Sequence, residues 1–197
     1  MADRSEYNQI RNEITNGDII LFRGSSLLSR LIQYFDNAYY NHAGVVFASN
    51  NRLFILDANA HGVAPDFLSS RMKEYISFCI VRPNAWKPEQ RSEALGTVMN
   101  KAERKIRYDF LLLLQIGIFR KTGIRIYLNN QQRDICSEFA RRYLRFLVPL
   151  EKCYEKILGE DFITPWDLRI YASEQFKVLY DNSDKRKYRK VYDNSSI

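Results

Sequence analysis

The sequence predicts a single α+β domain, and three observations carry that prediction. Two β-rich runs, "HAGVVFA" at 42–48 and "LFILDA" at 53–58, flank the short Asn-containing segment "SNNR" and read as an antiparallel hairpin. Segments with helical periodicity and recognisable caps follow one another through the second half of the chain. No stretch rich in Gly, Pro or Ser divides the 197 residues, of which 46% are hydrophobic, enough for one sizeable core. The expected domain covers 1–197, with its core at about 15–182 and a basic tail at 183–197.

Element by element, the polar arm "MADRSEYNQIRNEITNGD" ends in a turn, and "DIILF" (18–22) begins the first strand. "SSLLSRLIQYFD" is a short helix with serine caps and apolar Leu27, Leu28, Leu31, Ile32 and Phe35. The hairpin comes next, then the strand "ISFCIVRP" at 76–83, whose central Cys79 is most simply a core residue. Residues 87–104 form a helix, and "YDFLLLLQIGIF" a second one opened by Asp109. "RDICSEFARRYLRFL" (133–147) is amphipathic: Phe139, Tyr143 and Phe146 recur at helical spacing, with Asp134 as N-cap. "ITPWDLRIYA" starts a further helix, with Thr164 as cap and Pro165 at its first position. "FKVLYDN" (176–182) and "YRKVYDN" (188–194) are expected to pair as a hairpin.

Composition narrows the function classes. The three cysteines, Cys79, Cys136 and Cys153, are odd in number and widely spaced, giving neither a disulfide framework nor a zinc knuckle. The start of the chain lacks a signal-peptide core, and the longest apolar run, 110–119, is half of the ~20 residues a membrane span needs. These features predict a cytoplasmic, reduced protein with no cofactor. The net charge of +7 is spread along the chain. The tail's Lys185, Arg186, Lys187, Arg189 and Lys190 suit weak contact with anionic membrane, although a run this short more often forms a solvated surface; specific nucleic-acid binding is not expected.

Cys136 falls in the first turn of its predicted helix, where unpaired backbone N–H groups and the helix dipole stabilise a thiolate. Burial as a small core residue is the commoner fate of a helical cysteine. A nucleophile needs a base, and only His42 and His61 exist. His42 opens the first hairpin strand and Asp57 lies near the end of the second. A turn centred on Asn50–Asn51 sets Asp57 diagonal to His42, whereas a turn one residue earlier sets the two directly opposite. Both registers put them on one sheet face, with roughly 5 to 8 Å between Cβ atoms. Gly44, Val46, Leu53 and Ile55 share that face, so the carboxylate is interior and needs a partner. His61, in the Gly- and Pro-bounded "NAHGVAP", is the rival base on an expected surface loop. A thiol at a helix start with a carboxylate-oriented imidazole is the parts list for nucleophilic acyl transfer; a structural His–Asp pair is the alternative.

The order His42, Asp57, Cys136, with "GDIILFRG", "NHAGVVF", "LDANAHGV", "YDF", "ICSEF" and "TPWDL", resembles the permuted branch of the NlpC/P60 papain-like superfamily. The YiiX/YebB-like proteins are the nearest in pattern, and lecithin:retinol acyltransferases are more distant. The resemblance implies a circularly permuted papain-like fold, an antiparallel barrel-like sheet packed against the cysteine helix. It implies Cys136 as nucleophile, His42 as general base and Asp57 as the orienting residue, where YiiX-like proteins often carry Glu. Tyr108 is a candidate for the substrate cleft, while Glu138, Asp18, Asp109, Thr164 and Asp167 read as structural. The function expected is a cysteine-dependent hydrolase of peptide-like or acyl-amide bonds. A lipid-directed thiol acyltransferase or esterase, and a binding module that uses the cleft without turnover, are the alternatives.

Overall fold

The computed structural model describes residues 4–36, 38–59, 62–83, 87–102, 107–108, 115, 118–119, 121–124, 133–134, 140, 143, 164–165, 168–169 and 176–183. Its elements run α1 (Arg4–Ile10), β1 (Ile19–Arg23), α2 (Leu27–Asp36), β2 (His42–Ser49), β3 (Arg52–Asn59), β4 (Gly62–Phe67), α3 (Leu68–Glu74), β5 (Ser77–Pro83), α4 (Pro88–Ala102), β6 (Arg107–Tyr108), β7 (Arg133–Asp134) and β8 (Phe176–Asp181). Six strands form one antiparallel sheet in the order β4-β3-β2-β1-β5-β8, and β6 and β7 make a separate parallel pair.

Among the described residues the barrel-like closure expected from the sequence is not present: the sheet is open, with β4 and β8 as its edges. β4 is itself a departure, because "HGVAPDF" reads as a loop. Pro65 pairs with Leu56 inside it, which an outer strand tolerates because one side of its backbone has no ladder to supply. The same proline blunts the edge against further strands.

The hairpin register follows the Asn50–Asn51 turn. Both residues have positive φ, 50° and 58°, the mirror-image turn whose twist matches the strands it joins. Gly44 therefore faces Asp57, and Val46 faces Ile55. Alternation along the central strands gives two buried faces. Phe22, Val46, Ile55, Phe78 and Ile80 pack with Leu68 and Met72 of α3 and with Ile10 of α1 on one of them. The opposite face buries Leu21, Val45, Leu56 and Cys79.

The N-terminal arm contributes more than its polarity predicts. It forms α1, and Ile10 and Ile14 enter the core. α2 has the expected serine cap, Ser26 Oγ accepting from Ser29 N at 3.1 Å; of its expected apolar stripe, Leu27 and Leu31 are exposed and Ile32 is half-buried. Ala140 and Tyr143 are helical and buried, in the segment expected to carry the cysteine helix. Tyr143 Oη donates to Gly17 O at 3.0 Å, and a Cβ at Gly17 (φ +81°) would fall 2.0 Å from that hydroxyl. Thr164 precedes helical Pro165 as expected, and β8 adds to the sheet at β5. Asp134, expected as an N-cap, lies in β7. The proposed hairpin partner of β8 at 188–194 lies outside the described residues. Among the described residues, no helix is long and apolar enough to cross a membrane.

Candidate functional site

His42 and Asp57 meet on the sheet face covered by α3. His42 is paired with Phe22 on β1, and Asp57 sits two residues further along the neighbouring ladder, opposite Gly44. The diagonal contact needs room: a Cβ at Gly44 would lie 3.1 Å from Asp57 Cβ and 2.5 Å from Ile55 Cδ1. With hydrogen alone at that position, His42 Nε2 and Asp57 Oδ2 close to 2.7 Å. Asp57 is fully buried and His42 is 8% exposed.

The carboxylate has a second cation that the sequence reading missed. Arg71 Nη2, on α3, donates to the same Asp57 Oδ2 at 2.6 Å, and Arg71 Nη1 reaches Glu74 Oε2 at 2.6 Å. The signal was Leu68 and Met72 at helical i, i+4 spacing, which bury one face of a short helix directly after β4. "LSSRMKE" is too short for periodicity to stand out, and only the sheet shows that Arg71 returns to Asp57. Burial pushes the Asp57 carboxyl upward, but hydrogen bonds and charges from His42 and Arg71 outweigh it and hold the group below the ordinary carboxylate range. Burial alone would lower the Arg71 pKa, yet Asp57 with Tyr75 and Glu74 pushes it above the usual guanidinium value.

Aromatic rings hold the imidazole in place. Tyr75 lies nearly parallel to His42 (9°) with centroids 5.7 Å apart, and stacks at 4.3 Å on Phe22. Phe22 is itself stacked with His42 at 6.3 Å. Tyr75 follows α3 directly, so the same seven-residue helix delivers both Arg71 to the carboxylate and an aromatic face to the histidine.

Of the other predicted site residues, Tyr108 has its backbone in β6, paired with Asp134 and packed against β3 and β4. Cys136, the rival base His61, and Glu138, Asp109 and Asp167 lie outside the described residues. Cys79 is in the core as expected, and burial pushes its thiol well above the usual range. Among the described residues, no group of three His, Cys, Asp or Glu side chains has the arrangement of a metal site.

Fold and site together define an α+β protein with an open six-stranded antiparallel sheet and a buried histidine–carboxylate–arginine group on one face. Its fold is similar to the crystal structure of the metalloprotein YiiX from Escherichia coli O157:H7, a DUF1105 protein. The TM-score is 0.58 and the identity 16%, covering 85% of this chain and 97% of that one. No family model and no curated protein matches the chain.

Proposed function

We propose that this protein is a cysteine-dependent hydrolase of amide bonds, with a permuted NlpC/P60-like arrangement of Cys136, His42 and Asp57. The observation that carries the reading is the buried 2.7 Å contact between His42 Nε2 and Asp57 Oδ2 on a rigid central sheet. An ionised Asp57 accepts a hydrogen bond from Nε2–H, which leaves Nδ1 as the basic nitrogen of the neutral ring. Asp134 adds support: it pairs with Tyr108 on β6, beside β3 and β4. Cys136 follows Asp134 by two residues in the sequence.

In the proposed reaction His42 takes the Cys136 thiol proton, and the thiolate forms an S–C bond to the amide carbonyl. Collapse of the tetrahedral intermediate breaks the C–N bond as His42 protonates the leaving amine. Water, deprotonated by His42, then cleaves the thioester and restores the thiol. Asp57 remains ionised throughout, stabilising the imidazolium without accepting its proton.

The YiiX structure is named a metalloprotein. The described residues show no group arranged as a metal centre, and Asp57 Oδ2 is already taken by Arg71 Nη2 at 2.6 Å. No step is routed through a metal.

Arg71 also favours a second reading. By pairing with Asp57 it gives the carboxylate a structural purpose, as a non-catalytic binding module would require. Trapping decides between them. The protein is incubated with a panel of peptidoglycan-type peptides and N-acyl amines, acid-quenched and examined by peptide mass spectrometry. The hydrolase reading predicts a hydroxylamine-labile acyl adduct on Cys136, absent in Cys136→Ala and strongly reduced in His42→Ala. Absence of any adduct and of any turnover across the panel favours the binding module.

A further inference from the structure

A second feature of the α3 face lies apart from the histidine. Between α1, α3 and the turn end of the β2–β3 hairpin is a cleft of about 400 Å³, within the roughly 300–1,000 Å³ typical of small-ligand sites. Its floor is apolar: Leu53 and Met72 are buried, with Phe67 beside them. Its rim is cationic, with Arg11 from α1, Arg52 from β3 and Lys73 from α3, and no Asp or Glu among its lining residues.

These three cations are positioned but not neutralised. Arg11 Nη2 donates to Asn51 O at 2.6 Å, which fixes the guanidinium across the cleft against the hairpin turn. The Arg52 guanidinium lies 5.7 Å over the Phe67 ring. Among the described residues no carboxylate pairs with Arg11, Arg52 or Lys73, whereas Arg71, Arg82, Arg91 and Arg169 all have carboxylate partners there. Three like charges around one concavity repel one another, and an anion in their midst relieves that repulsion while the apolar floor covers whatever it is attached to.

We propose that this cleft binds a small amphipathic anion, a phosphoryl or carboxyl head on an apolar stem. Arg11, Arg52 and Lys73 hold the head, and Leu53, Met72 and Phe67 hold the stem. The head can come from a soluble metabolite or from a lipid at a bilayer surface, since the recognising chemistry is the same.

Hexyl phosphate is the probe, titrated calorimetrically into the full chain, with hexyl glucoside as its uncharged counterpart. The expected result is saturable one-site binding of hexyl phosphate, about tenfold weaker in Arg52→Gln and in Lys73→Gln, the loss typical of one charge-assisted hydrogen bond. Both side chains are exposed, and equal urea midpoints verify that the variants fold. Arg30→Gln, an exposed charge on α2, serves as the control and leaves affinity unchanged. Co-sedimentation with phosphatidylglycerol vesicles, lost in the same two variants, assigns the head to a lipid; hexyl phosphate binding without vesicle binding assigns it to a soluble ligand. Absence of saturable binding, equal affinity for hexyl glucoside, or affinity untouched by both cleft variants overturns the proposal.

Discussion

Two buried carboxylates in this molecule meet the same physical demand in different ways. Asp18 and Asp57 are both fully buried, and both have arginine partners. Around Asp18, the Arg82 Nε and Nη2 atoms form a two-pronged pair at 2.7 Å each, Arg91 Nη1 adds a bond at 3.1 Å, and Thr15 N donates at 2.8 Å. Every one of those donors is a guanidinium or a backbone amide, so the cluster clamps the start of β1 to β5 and α4. Asp57 pairs with Arg71 and also with an imidazole, the side chain whose protonation changes most readily near neutrality. The first arrangement can only hold; the second can also move a proton.

The largest expected effect breaks the clamp. Asp18→Ala leaves the buried Arg91 and the half-buried Arg82 without their carboxylate and should cost about 3 to 5 kcal/mol in urea unfolding. Arg71→Met should cost about 3 kcal/mol, because buried Asp57 loses its guanidinium, and Arg71→Lys should recover part of it. A loss from Arg71→Met as small as that of an exposed arginine would show that α3 is not pinned to the sheet. Gly17→Ala should cost about 2 kcal/mol, combining a positive φ with displacement of Tyr143. Tyr143→Phe removes only the bond to Gly17 O and should cost about 1 kcal/mol.

Acid titration sharpens the comparison further. The folded-state pKa of Asp57 is depressed, so its stabilising contribution is complete above the unfolded value of about 3.9 and is lost as pH falls through the folded value. The urea-midpoint gap between wild type and Asp57→Asn should therefore shrink as pH falls below about 4. A gap that stays constant down to pH 2 would mean that Asp57 is not held as an ion.

Short-range chemistry made much of this legible beforehand. The Asn50–Asn51 turn and the alternation of Val46, Ile55 and Asp57 were sufficient to put His42 and Asp57 on one face. Ser26 before α2 and Thr164 before Pro165 likewise declared helix starts through local hydrogen-bonding chemistry. What escaped is what only the assembled sheet decides. Pro65 reads as a loop until its strand is known to be an edge, and a seven-residue helix gives too little periodicity to be seen. Arg71 and the two arginines on Asp18 are long-range partners, separated from their carboxylates by 14, 64 and 73 residues, and no local pattern encodes such pairings.

On the proposed function, His42 serves a thiolate as well as the fold. The most direct test of that role is the rate of Cys136 alkylation by iodoacetamide from pH 4 to 9, in wild type and in His42→Ala, resolved by peptide mass spectrometry. Cys79, buried in the sheet, should stay unmodified in the native protein and so reports that the fold is intact. Coupling predicts a wild-type midpoint well below the ordinary thiol value of about 8.5, rising towards it in His42→Ala. A Cys136 that does not react, or whose profile is the same in both proteins, would contradict the account and leave His42 and Asp57 as structural partners.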